Sequence, residues 1–155
     1  MRQRIQRFSR ILKLRENERQ AEQIVLAEER REEDTVLRRL DALSGEKTEA
    51  IAAFRGQGDD PVPLQEIWLR RQSIEVIEKH IDRSKESLID VQRRIEGTEA
   101  RLVERHRDVR MMEVTVDHLK FSARQIEFET EQNELDDIAV MRYNRSRFPE
   151  EEDNR

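Results

Sequence analysis

From Ile67 to Ala123 one position in every seven is apolar, nine times running: Ile67, Ile74, Ile81, Leu88, Ile95, Leu102, Val109, Val116 and Ala123. A seven-residue repeat of that length specifies a helix whose apolar stripe must face another helix, wound with a left-handed supercoil. The companion positions alternate between apolar Ile77, Val91, Met112, Leu119 and Ile126 and polar Ser84, Thr98 and Arg105. The repeat keeps its phase across Gly97. It predicts one helix over 64–146, about 125 Å long at ~1.5 Å per residue.

The partner stripe lies upstream. Residues 2–55 carry a looser seam of Ile5, Phe8, Leu12, Leu26, Val36, Leu40, Leu43, Ala50 and Phe54. Between Arg15 and Asp34 that seam is expected to rest on Ala21 and the cluster Ile24-Val25-Leu26-Ala27. Gly45 is tolerable inside a helix at roughly 1 kcal/mol. The two helical runs are separated by Gly56-Gln57-Gly58-Asp59-Asp60-Pro61-Val62-Pro63, with two of the four glycines and two of the three prolines of the chain. Glycine admits positive φ, and proline removes a donor and restricts the residue before it. The domain reading is therefore a helix over 1–55, a turn over 56–63, a helix over 64–146, and a disordered acidic tail over 147–155.

Composition fits two helices better than a globular core. Of the 155 residues, 42% are charged and 5% aromatic, so apolar side chains suffice for a stripe and little more. The absence of cysteine excludes disulfides and thiol chemistry. No apolar run reaches the length of a membrane span or a signal-peptide core, and the chain reads as soluble and unexported. A net charge of −5 by itself points to neither a nucleic-acid nor a membrane partner.

A short turn places the helices antiparallel, so the expected fold is all-α, a long two-helix coiled-coil hairpin with unequal arms. Pairing outward from the turn sets Leu43 near Ile74 to Ile77, Leu26 near Ile95, Leu12 near Val109 and Ile5 near Val116. The first helix then ends near residue 119 of the second. About 27 residues project, roughly 40 Å by the helical rise. They include Phe121, Ile126, Phe128, Leu135, Ile138, Val140 and Met141, an amphipathic segment without a partner in its own chain. The alternative is a kink within 64–92 that lets 93–146 pair with the first helix, in a stretch that has no glycine or proline to make one.

Chemistry-bearing patterns are sparse. His80, His106 and His118 are too far apart along a helix to share a metal, and Gly56-x-Gly58 does not lead into a phosphate-binding helix. No cofactor, metal site or enzymatic activity is expected. The charges are more informative. Arg2, Arg4, Arg7, Arg10, Lys13 and Arg15 precede the first acid, Glu16. They oppose the macrodipole at a helix N-terminus. They read as a surface for acidic protein or phosphate, or as a solvated basic face. Glu127, Glu129, Glu131, Glu134, Asp136 and Asp137 form an opposite block, with no base from Gln125 to Met141. Near the turn, Ile51, Phe54, Leu64, Ile67, Trp68, Leu69, Ile74, Val76 and Ile77 exceed what a two-helix seam uses. Packing of the turn onto itself is the reading preferred, with a docking surface as the other.

Three segments resemble the FliJ family of flagellar export proteins. The first is Phe8-Ser9-Arg10-Ile11-Leu12-Lys13-Leu14-Arg15-Glu16 with Glu18 and Ala21. The second is Gly56-x-Gly58 followed by Trp68 and by Ile77-Glu78-Lys79-His80-Ile81. The third is Glu131-Gln132-Asn133-Glu134-Leu135-Asp136-Asp137-Ile138-Ala139, then Arg142. The likeness spans essentially the whole chain. It implies an antiparallel coiled coil acting as a non-catalytic stalk and chaperone of type III protein export. Implied partners are a hexameric export ATPase, the cytoplasmic domain of the export gate, and export chaperones. The implied place is the bacterial cytoplasm, at the cytoplasmic face of the inner membrane by way of the export apparatus. Carried onto this sequence, the ATPase surface is Arg2, Arg4, Arg7, Phe8, Arg10, Ile126, Leu135, Ile138, Met141 and Arg142. The gate surface is Leu40, Leu43, Ile74, Ile77 and His80, of which the first four also serve the seam. A similar stalk protein of virulence secretion, a generic coiled-coil scaffold or homodimer, and a basic-helix nucleic-acid binder are the alternatives. The near-neutral balance and the lack of aromatic residues among the basic ones argue against the last.

Overall fold

The computed structural model describes residues 1–56 and 61–147. It contains two helices, α1 (Arg2–Arg55) and α2 (Leu64–Arg147), and no strand among the described residues. The helices pack on each other as an all-α helical hairpin. α2 is one uninterrupted helix of 84 residues, without the kink considered for 64–92. Arg147, expected in the tail, is its last residue. The expected disorder of 148–155 lies outside the described residues.

Local chemistry explains the helix ends near the turn. The amide of Gly56 donates to the Ala52 carbonyl at 2.8 Å, the last bond in the α1 pattern. None of the described glycines has positive φ. Gly56 therefore ends α1 without a left-handed backbone, and Gly58 lies outside the described residues. On the other side the Pro63 carbonyl accepts from the amides of Glu66 and Ile67 at 2.9 and 3.2 Å, starting α2. Glu66 in the first turn of α2 and Arg55 in the last turn of α1 suit the helix dipoles.

The chain divides into two compact units, each built from a piece of both helices. The larger, Asn17–His106, contains the turn. Its cross-helix contacts run in opposite senses along α1 and α2. Lys47 meets Glu78 at 2.9 Å, Gln92 donates to Glu33 at 3.1 Å, and Arg94 meets Glu32 at 2.7 Å. Further from the turn come Arg30 with Glu99 at 2.9 Å, Arg101 with Glu22 at 3.4 Å, and Arg105 with Glu18 at 3.1 Å. The core of this unit comes mostly from α2: Ile81, Ser84, Val91, Ile95 and Thr98 are buried. Leu26 is the one buried residue of α1, packed with Val91, Ile95 and Leu102.

The reason is the charged stretch of α1. Ala21, Ile24, Val25 and Ala27 were expected to carry the seam here, and all four are exposed. Half-buried Glu18, Glu22, Glu29 and Glu33 take the facing positions instead. Helical phase decides this, because Ile24, Val25 and Ala27 flank Leu26 and cannot share its direction. Long glutamate side chains lay their methylenes over the α2 stripe and carry their carboxylates out to arginines at its edge. The Arg94 hydrogen bond to Glu32 raises the guanidinium pKa further, against a partial loss of hydration. The exception is Glu29, whose Oε2 is buried and has no hydrogen-bond partner.

The smaller unit is Met1–Glu16 with Arg107–Arg155, described as far as Arg147. Val109, Val116 and Leu119 are its buried residues, facing half-buried Ile5, Phe8, Ile11 and Leu12. Arg15 meets Asp108 at 3.8 Å and Arg2 meets Glu127 at 3.5 Å, again antiparallel. α1 therefore begins opposite Glu127, about two turns beyond the expected residue 119. Ser122 and Ala123 are half-buried, and every residue of 124–147 is exposed. That segment is about 35 Å long by the helical rise.

Two substitutions test this packing. Leu26→Ala is expected to cost about 2–3 kcal/mol by cavity formation, whereas Leu14→Ala, at an exposed site on the same helix, costs under ~0.5 kcal/mol. Urea unfolding followed by circular dichroism reads both. Glu29→Leu is expected to stabilise by roughly 1 kcal/mol, because it removes a buried oxygen without a partner. A fall in the unfolding midpoint of that variant would contradict the role given to Glu29.

Candidate partner-binding surfaces

The basic end of α1 lies in the smaller unit. α1 has no acidic residue in its first turn, so its positive end is offset only by groups from α2. The Arg2 guanidinium reaches Glu127, with both side chains well exposed. Arg4 stands 6.0 Å from the centre of the Phe8 ring, one helical turn on, at the outer limit of a cation–π contact. Gln3, Arg4, Arg7, Phe8 and Ile11 line a shallow groove. Arg7 and Arg10 are exposed and make no ion pair among the described residues. Of the positive and negative blocks recognised in the sequence, the structure joins one pair, Arg2 with Glu127.

The other residues assigned to this surface are on α2. Ile126, Leu135, Ile138, Met141 and Arg142 are all exposed, at 51% for Ile126 and 66% for Leu135. They do not form one face. Leu135, Ile138 and Arg142 are spaced three and four residues apart and line one side of the helix. Ile126 and Met141 project from the side that continues the hairpin seam. Ile126 thus holds a seam position level with the start of α1 and is left half exposed.

In the larger unit the residues assigned to the gate are partly hidden. Leu40, Leu43, Ile74 and Ile77 are half-buried in the seam. His80 lines a groove of about 300 Å³ with Val36, Arg39, Arg83, Ser84 and Ser87. Its two arginines were not singled out from the sequence, because they sit on different helices and only the hairpin brings them together. Of the apolar surplus near the turn, Ile51, Ile74 and Ile77 are half-buried and the rest is exposed. Phe54, Ile67, Leu69 and Trp68 are exposed, and Leu64 is 83% exposed. Leu64, Ile67 and Trp68 form an apolar groove with Gln65 and Arg71.

No group of three or more His, Asp or Glu side chains converges as a metal site would, and no helix is long and apolar enough to cross a membrane, among the described residues. What the fold offers is exposed helix surface bearing charge and apolar side chains, the means of a protein that works by binding other proteins. This is a coiled-coil helical hairpin with uncovered faces. The family described as Flagellar FliJ protein matches residues 3–148, nearly the whole chain, and the chain belongs to that family. Comparison with curated proteins and with solved structures finds no match. Membership assigns the chain a stalk-type role in flagellar or type III protein export and an association with the export apparatus.

The Arg2 contact gives a simple check. An exposed pair of this kind contributes about 0–1 kcal/mol, and salt screens it. Arg2→Ala is expected to leave the unfolding midpoint almost unchanged at physiological salt. A loss of several degrees would show that the contact anchors the helix end.

Proposed function

We propose that this protein is a non-catalytic coiled-coil stalk of the flagellar type III export apparatus, coupling a hexameric export ATPase to the export gate and promoting substrate export. Membership in the FliJ family supports the setting. The observation that carries the assignment is the uncovered end of α2: 124–147 is helical, exposed throughout, and bears Ile126, Phe128, Leu135, Ile138, Val140 and Met141. Exposed apolar side chains in that density mark an interaction surface.

The smaller unit engages the ATPase. Arg2, Arg4, Arg7, Phe8 and Arg10 supply positive charge and one aromatic ring from α1, and Ile126, Leu135, Ile138, Met141 and Arg142 supply apolar contact and a cation from α2. The gate engages the larger unit near Leu40, Leu43, Ile74, Ile77 and His80. The four apolar residues keep the helices paired as well, and His80 with its arginine neighbours offers the accessible contact. The protein acts in the bacterial cytoplasm, held at the inner membrane by the apparatus, with export chaperones as further partners. Its own part is to bias the ring's conformation and relay that state to the gate. Nucleotide hydrolysis belongs to the partner.

The test is stimulation of a hexameric export ATPase by the intact chain, by a chain lacking 1–15, and by a chain lacking 126–155. Each truncation is expected to lower stimulation and co-purification with the ring. Full stimulation by both truncated chains would sink the assignment of this end.

A further inference from the structure

The exposed part of α2 carries a second heptad pattern, on the face turned away from the hairpin seam. Val114, Phe121, Phe128 and Leu135 recur every seven residues, at 54%, 58%, 66% and 66% exposure. Four residues after each stand His118, Gln125, Gln132 and Ala139, also exposed. These eight positions alternate by four and three, as the two core positions of a coiled coil do. None is Asp, Glu, Lys or Arg, which make up 42% of the chain. Scattered exposed apolar residues are ordinary on any protein. Four at strict seven-residue spacing, interleaved with none of those four residue types, are not scattered.

This face is not the seam continued. Val114 is five residues from buried Val109 and two from buried Val116, which puts it about half a turn away from both at ~100° per residue. Phe121 is two residues from buried Leu119, with the same consequence. α1 covers the opposite side and cannot reach this one. Past Ala123, seam positions 130, 133 and 137 are Thr, Asn and Asp, while the outer stripe keeps Phe128 and Leu135. The seam positions Ile126 and Val140 stay apolar, so where α1 ends the outer stripe stands beside a seam that has become mixed.

The charges beside the stripe select its occupant. Asp117, Glu129, Glu131 and Asp136 flank the stripe directly against one base, Arg124, and no base occurs from Gln125 to Met141. A second copy of α2 laid on this face would set these carboxylates against each other in its acidic half. The basic segment of a second copy, residues 2–15, has only Leu14 as an exposed large aliphatic residue beyond Met1, so it offers no matching stripe. An anionic lipid surface would be repelled. A helix of another protein, apolar along one face and flanked by lysine or arginine, satisfies both the spacing and the charge.

We propose that the outer face of α2 from Val114 to Ala139 docks a basic amphipathic helix of a partner protein in heptad register. The proposal rests on the reading of this unit as a partner-binding surface, and it names the chemistry of the element bound. The apolar stripe supplies affinity, and the acidic flank sets partner choice and orientation.

The probe is a labelled synthetic helix with leucine at both core heptad positions and lysine at the flanking ones, titrated into the full chain by fluorescence anisotropy. The expected result is saturable one-to-one binding that weakens with salt. A peptide with glutamate at the flanking positions is expected not to bind. Phe121→Gln with Phe128→Gln is expected to weaken binding by about tenfold or more, because buried aromatic anchors dominate such contacts. These side chains are exposed, so unchanged helicity and unfolding midpoint should accompany the loss. Val140→Gln, on the seam side, is expected to leave binding intact. Equal binding of the two peptides, or loss through the seam-side variant alone, would overturn the proposal. So would a dimer in sedimentation that the Phe121 and Phe128 variant abolishes, since a second copy would then be the occupant. Failure here with ATPase stimulation intact would overturn this proposal and leave the stalk reading standing.

Discussion

The structure depends on the need of α2 to hide a stripe it cannot hide by itself. A lone helix exposes both core positions of every heptad. Burying them against a second helix removes apolar surface from water at about 25 cal/mol per Å². In the larger unit this brings α1 onto Ile81, Val91 and Ile95, and in the smaller one onto Val109, Val116 and Leu119. The turn shortens the search for that partner but does not create the attraction. One polar residue that shares the stripe is accommodated by a local bond. Thr98 is fully buried, and its hydroxyl accepts from Arg101 at 2.9 Å.

The two helices meet this need unequally. α2 brings apolar side chains at nearly every core position, and α1 answers over 17–34 mostly with glutamate. A glutamate covers apolar surface with two methylenes and leaves a carboxylate to place at the rim. Arginines at 94, 101 and 105 of α2 receive those carboxylates from Glu32, Glu22 and Glu18. Pairs of this kind, open to solvent on one side, add little to stability individually. Their value lies in register, because sliding one helix by a turn would set several of these charges against the wrong partners. A coiled coil with a charged middle is thereby held in one alignment by pairing and closed at its apolar parts by packing.

Function follows from what the pairing leaves uncovered. α1 stops opposite Glu127, and α2 continues with exposed apolar and acidic residues. Among the N-terminal cations Arg2 meets Glu127 and Arg15 meets Asp108 of α2. Such surfaces have little reason to stay bare unless another protein covers them, which agrees with a family that works within a multi-protein export apparatus. The outer stripe of Val114, Phe121, Phe128 and Leu135, exposed along α2, points the same way.

Most of the fold was legible in the sequence because it is written in periods. A seven-residue repeat reports helix, partner and facing positions together, and eight residues rich in glycine and proline mark where the direction reverses. The helix pairing of Leu26 with Ile95 followed from counting outward from that break. The composition of the α1 seam did not. Ile24, Val25 and Ala27 look like core by hydrophobicity and are turned to solvent by the phase set at Leu26. The groove of His80, Arg39 and Arg83 was also hidden, since residues about forty apart along the chain become neighbours only when the helices pair. The stripe of Val114, Phe121 and Phe128 could have been read from spacing alone, but its orientation away from α1 could not. By itself the sequence determined that this chain forms two helices and which stripe of α2 must be buried, because helical period is a local property. Tertiary structure decided which charged side chains stand in for an apolar seam and which face of α2 is left for a partner, because both depend on where the other helix lies and where it ends.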